Sequence, residues 1–179
     1  MSNALIVIDM QQGSFTAAAP CHDAAGLVER INTLAASVRD KGGVVIHVQH
    51  DGPPGDPHQP ELPGWRFLPD IDVRPDDTIV RKTSCDAFLQ TRLEAVLRAK
   101  AIDRLIITGC ATDYCVDTTV RSALARGYRT TAPSDGHTAA DRPHLPAVKI
   151  IEHHNAIWAD FQAPNGPAEV CRCAEIRLD

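Results

Sequence analysis

The chain reads as a single-domain α/β protein: a three-layer α/β/α sandwich around a mostly parallel six-stranded sheet, Rossmann-like in plan. Three observations predict this. Short unbroken apolar runs of strand length recur along the sequence, beginning with ALIVI at Ala4–Ile8. Between them lie stretches whose apolar residues repeat with a helical period. The runs do not alternate apolar with polar residues, so both faces of the sheet must be covered, as helices cover a parallel sheet.

The elements follow in order. After Ala4–Ile8, the segment Ala24–Lys41 carries Leu27, Ile31, Leu34 and Val38 on one helical face and stops at Gly42–Gly43. VVIHVQH (Val44–His50) is the second strand, rich in β-branched residues. The stretch Asp51–Trp65 is too punctuated by proline and glycine for regular structure, and a loop of that length in a compact domain is usually a lid or a binding segment. TIVRK (Thr78–Lys82) is a short third strand. Leu89, Leu93, Val96 and Leu97 mark a helix, and Arg104–Thr108 the fourth strand. A helix over about Cys115–Arg126, a strand near Tyr128–Ala132, a helix Leu145–Ala159 and a final strand near Glu169–Arg172 complete the plan.

A length of 179 residues with 44% hydrophobic content suits one core, and no composition break or repeat divides the domain, 1–179. The formal net charge of −5, without a basic run, argues against nucleic-acid and anionic-membrane partners. No stretch approaches the ~18 apolar residues of a membrane helix. MSNALIVIDM lacks the basic opening of a signal peptide, so a cytoplasmic location is expected, with its six cysteines reduced.

In such sheets a site forms beyond the carboxyl ends of the strands. Those ends deliver Asp9, His50 with Asp51, Lys82, the loop ATDYC ahead of Cys115, and Asp135 to His137. A thiol at a helix start gains from the macrodipole, a nearby ammonium would lower its pKa further, and a carboxylate could take its proton. The turn before Cys115 would present backbone N–H groups for an oxyanion. Taken singly, each residue has a plainer reading: Asp9 as a turn or cap, Lys82 as a solvated strand end, Cys115 as a core cysteine.

The segments ALIVIDMQQGSF, VRKTSCDAFLQTRLEAVL, IITGCATDYCVDTTVRSALARGY and DGHTAADRPHLPAVKIIEHHNAIWAD resemble those of the isochorismatase-like cysteine hydrolase superfamily. That resemblance implies Cys115 as nucleophile, Asp9 as general base and acid, and Lys82 as the cation beside the thiolate. It implies a cis peptide at Cys110–Ala111, oxyanion donors at the N–H groups of Ala111 and Cys115, and a dimer or tetramer. It further implies hydrolysis of a C–N bond in a small amide, carbamoyl or lactam substrate through a thioester, with no organic cofactor. The alternatives are a non-catalytic small-molecule-binding relative, and a vinyl ether hydrolase, a branch that lacks the cysteine.

The nicotinamidase branch carries an aspartate two residues before a histidine after its second strand, as a metal site. Here HVQHDGPPGDPH offers His50, Asp51, Asp56 and His58 without that element in place, so no metal ligand is assigned, although a zinc-type ion remains an alternative. Phe15, Gln49, His50, Trp65, Phe88 and Tyr114 are the candidate substrate-binding residues. The exposed face of the last helix, with Ile157 and Trp158, is the expected subunit contact.

Overall fold

The computed structural model describes residues 2–178. Among them six strands form one sheet: β1 (Asn3–Ile8), β2 (Val44–His50), β3 (Thr78–Lys82), β4 (Arg104–Cys110), β5 (Arg129–Thr131) and β6 (His137–Thr138). Their order across the sheet is β3-β2-β1-β4-β5, with β6 beside the end of β4, and every pairing is parallel. The helices are α1 (Ala24–Asp40), α2 (Leu93–Ala99), α3 (Asp117–Ala125) and α4 (Ala147–Ala159).

The two-residue alternation of a strand sorts the core into two layers. Ala4, Ile6 and Ile8 of β1 pack with Leu93 and Leu97 of α2, Val120 and Leu124 of α3, and Trp158 of α4. Leu5 and Val7 face the other way, against Leu27, Ile31, Leu34 and Val38 of α1. Burying each such side chain is worth about 1.5–3 kcal/mol, which is why β1, buried along its whole length, anchors the fold. Gly42, at φ +74°, turns the chain out of α1 into β2. Gly109, at φ +119°, is needed where β4 runs beside β1, because a Cβ there would strike the carbonyl oxygen of Ile8.

Four expectations are corrected. Leu89 is exposed and precedes α2: Gln90 has a positive φ of 54°, and the Thr91 hydroxyl accepts from the Leu93 N–H at 3.1 Å, so the helix starts later. The helix expected from Cys115 begins at Asp117, after a π-helical turn, Thr112–Val116. The stretch 169–172 is no strand. It meets β5 through one bridge, Glu169 to Thr131, followed by a bond from the Ser134 N–H to the Cys171 carbonyl at 2.8 Å, and the sixth strand is His137–Thr138 instead. Trp158 is fully buried with its indole N–H on Asp117 at 2.8 Å, so it belongs to the core and offers nothing to a neighbouring subunit. No helix among the described residues is long and apolar enough to cross a membrane.

Candidate active site

The strand order reverses between β1 and β4, and the site lies at that switch point, beyond the strand ends. Asp9 follows β1 directly. Its backbone turns into the left-handed region at φ 47°, while its N–H stays tied to Val48 at 3.0 Å. Lys82 closes β3, and its fully buried side chain reaches across the end of β2. A long stem is needed there, since β3 and β1 are separated by a strand. Its Nζ lies 2.7 Å from Asp9 Oδ2, 3.2 Å from Cys115 Sγ, 2.9 Å from the Ser84 carbonyl and 3.3 Å from His50 Nδ1. An ammonium only donates, so His50 meets it with an unprotonated Nδ1. The other carboxylate oxygen, Asp9 Oδ1, is buried without a hydrogen-bond partner among the described residues. It is a buried acceptor with capacity to spare beside the cleft.

The loop after β4 supplies the sulfur. The Cys110–Ala111 peptide is cis. The Ala111 carbonyl then accepts from the N–H groups of both Tyr114 and Val116, each at 3.1 Å, and this closes the π-helical turn around Cys115. Two side chains brace the turn from outside. Thr112 Oγ1 bonds His137 Nδ1 at 2.8 Å, and Asp113 takes a two-pronged bond from Arg142 at 2.8 and 2.9 Å.

Burial by itself would depress the Lys82 ammonium, but Asp9 and Cys115 beside it more than offset that and hold it above its usual range. Burial, and then the Asp9 carboxylate, push the Cys115 thiol well above the ordinary thiol range, with Lys82 pulling the other way. The expectation of a depressed thiol is therefore reversed. Lys82 acts in the anticipated direction, yet desolvation and the carboxylate outweigh it. Burial therefore favours the protonated form of the thiol beside the Asp9–Lys82 ion pair.

These groups open into a cleft of about 330 Å³ whose walls include Ala111, His50 and Tyr114. A larger hollow of about 460 Å³ lies between α1 and the C-terminal segment, but the buried ion pair and the thiol converge on the smaller one, so that is the candidate site. Four expected wall residues stand elsewhere. Phe88 is buried in the core, stacked on Tyr128 at 5.9 Å between centroids, with Arg126 over its ring. Trp65 turns its indole N–H to Asp51 at 2.8 Å and its face to Arg81. Gln49 is buried and donates to the Trp65 carbonyl at 3.0 Å, so it braces the loop from behind. Phe15 packs with the α1 layer and borders a separate hollow.

Ser14, Cys21, His58 and Arg142 line the cleft without having been singled out for it. They come from segments with no period, where sequence gives no side-chain direction. Gln11 was also missed as a positioning residue. Fully buried, it bonds the His50 carbonyl at 3.0 Å, the His50 N–H at 2.8 Å and the Trp65 carbonyl at 2.8 Å, tying the long loop to β2. A glutamine just past a buried strand is the signal that marks it.

The residues after β2 do not fit a metal. His58 is engaged at both nitrogens, by Asp56 and Ser14, His50 faces the Lys82 ammonium, and Asp51 is held by Arg81 and Trp65. No three ligand-type side chains among the described residues converge.

Residues 3–162 match the isochorismatase domain. The chain is 36% identical over 145 residues to streptothricin hydrolase from Streptomyces noursei, covering 81% of this chain and 52% of that protein. It is 29% identical over 162 residues to a ureidoacrylate amidohydrolase from Variovorax paradoxus (strain S110), covering 70% of this chain and 64% of the relative. The crystal structure of a cysteine hydrolase from Pseudomonas syringae pv. phaseolicola 1448A superposes with a TM-score of 0.87 at 28% identity, over 97% of this chain and 89% of that one. The chain belongs to the isochorismatase family. It spans about half the length of the streptothricin hydrolase it matches.

Proposed function

We propose that the protein hydrolyses the C–N bond of a small amide, carbamoyl or lactam substrate through a thioester on Cys115. The observation that carries this reading is the position of the Lys82 ammonium, 2.7 Å from Asp9 and 3.2 Å from Cys115 in a cleft of small-molecule size. The hydrolase and amidohydrolase names of its relatives, and the cysteine hydrolase among the similar structures, agree with it.

In this reading the substrate carbonyl lies over Cys115. The sulfur attacks as its proton passes to Asp9, whose unpaired Oδ1 is the acceptor. Lys82 stays charged, and its attraction for sulfur rises as the thiol becomes a thiolate, so it favours the transition state over the ground state. The N–H groups of Ala111 and Cys115 hold the oxyanion. Asp9 then returns the proton to the departing nitrogen. Water attacks the thioester with Asp9 again as base, and the acid leaves as Cys115 regains its proton.

The test is release of ammonia or amine over a panel of primary amides, carbamoylated amines and lactams, with Cys115→Ala as the control. Turnover by the native chain that vanishes in Cys115→Ala supports the reading. Turnover that survives the substitution would sink the assignment of the nucleophile.

A further inference from the structure

One constellation at the cleft takes no part in the chemistry above. Ser14 Oγ lies 2.9 Å from His58 Nε2, and His58 Nδ1 lies 3.1 Å from Asp56 Oδ1. Asp56 also accepts the His58 backbone N–H at 2.7 Å. Ser14 and His58 both line the cleft that holds Asp9 and Cys115, and the His50 and His58 rings meet edge to face at 5.9 Å.

With the imidazole neutral, the hydrogen bonds give this chain one direction. An ionised carboxylate can only accept, so the His58 Nδ1 must carry the proton facing Asp56. The Nε2 of a neutral imidazole is then an acceptor, and the Ser14 hydroxyl must donate to it. That leaves the Ser14 oxygen with unused lone pairs, able to accept a hydrogen bond from whatever occupies the cleft. The N–H of His58 on its carboxylate holds Asp56 below its usual pKa, which keeps the chain in this sense.

The charge balance of the cleft points the same way. Asp9 is neutralised by Lys82, Asp113 by Arg142 and Asp51 by Arg81, whereas His58 is the ion partner of Asp56. Asp56 is thus the carboxylate near the cleft that is paired with a histidine and not with a lysine or arginine, and it faces the occupant through the imidazole and the hydroxyl.

We propose that Ser14, polarised through His58 by Asp56, is a subsite for a protonated amine or other N–H donor of the substrate. Ser14 touches the ligand; His58 and Asp56 are positioning residues behind it. The proposal rests on the amide-hydrolase reading only in assigning that donor to the nitrogen-bearing side of the substrate. The cleft thus selects amides that carry a cationic amine over neutral or anionic amides of equal size.

The test uses Cys115 as a reporter and needs no substrate. The full chain is treated with an ammonium-bearing alkyl methanethiosulfonate and, separately, with its neutral alkyl analogue, and modification at Cys115 is followed by peptide mass. The readout is the ratio of the two rates, normalised to the same ratio for free cysteine. The native chain is expected to favour the ammonium reagent by about three- to tenfold, the worth of one partly solvated polar contact. Ser14→Ala and Asp56→Asn are each expected to bring the ratio close to that of free cysteine, while Ser14→Thr, which keeps the hydroxyl, retains it. A ratio that stays high in both Ser14→Ala and Asp56→Asn, or a native ratio no greater than that of free cysteine, would overturn the proposal. Using the ratio cancels any general change in thiol reactivity or folding between variants. Failure of amide turnover leaves this measurement intact, so the two readings fail separately.

Discussion

The two sides of the cleft are built in opposite ways. Asp9 and Lys82 are buried residues fixed to the ends of two parallel strands, paired with each other, with Lys82 also reaching Cys115, Ser84 and His50. Facing them, Ser14 and His58 belong to irregular segments, partly exposed, and are held by hydrogen bonds to each other and to Asp56. Strand ends are set by the sheet register to within the precision that chemistry needs. Loop residues are free to vary in position without disturbing the core, and that freedom is where selection among substrates is accommodated. On the proposed function, reaction type sits on the sheet and substrate choice on the loop.

Substitutions on the sheet side should be the more damaging. Cys115→Ala is expected to remove hydrolysis entirely, and Asp9→Asn to lower kcat by about 10²–10⁴-fold, the range of a lost general base; both are read by amine release. Lys82→Met leaves Asp9 buried without its counter-ion, so a stability loss of about 3–5 kcal/mol is expected in urea titration along with the loss of activity. Phe88→Ala sharpens the contrast from within the core. It should cost about 3–5 kcal/mol of stability while leaving KM unchanged, because its ring packs on Tyr128 away from the cleft. A KM shift without a stability loss would return Phe88 to the wall.

Acid stability probes the brace beneath the nucleophile turn. Burial pushes the His137 pKa down from 6.5 to about 4, since its ring is enclosed by Thr112, Asn155 and Trp158. The unfolded chain takes up that proton first, so stability is full above pH 6.5 and falls as the pH drops toward 4. The difference is worth about 3 kcal/mol from this one group. Denaturation midpoints measured across that window should slope less steeply in His137→Gln. The smallest effect belongs to the loop: Asp51→Asn weakens the hold on Trp65 and Arg81, with about 1 kcal/mol lost and KM altered more than kcat.

Much of the sheet side was legible in the sequence, for a physical reason. Apolar runs such as ALIVI and RLIIT end abruptly, and the polar residue at each end is placed by the parallel-sheet rule without knowledge of any contact. The loop side was not. Trp65 and Phe88 attracted attention because they are aromatic, but side-chain direction outside a regular element carries no period; Gln49 lies within β2, on the strand face that the loop covers. Ser14 and Arg142, which do reach the cleft, look like ordinary turn residues. The sixth strand escaped for a related reason. His137 and Thr138 are too short to show a pattern, while EVCR at 169–172 has strand-like residues but pairs with β5 only at the Glu169–Thr131 bridge. The direction in which the Cys115 thiol is pushed was not legible either, because burial cannot be weighed against a lysine until both are placed.

The central claim is that Cys115 holds its proton at rest and gives it to Asp9 only as it attacks. The most direct measurement is the pH dependence of iodoacetamide alkylation at Cys115 in the native chain and in Asp9→Asn. A native thiol that reacts more slowly than free cysteine at neutral pH, with a midpoint displaced to high pH that falls when Asp9 is neutralised, is the predicted result. A thiol that is already as reactive as free cysteine at pH 7, and indifferent to Asp9→Asn, would contradict it.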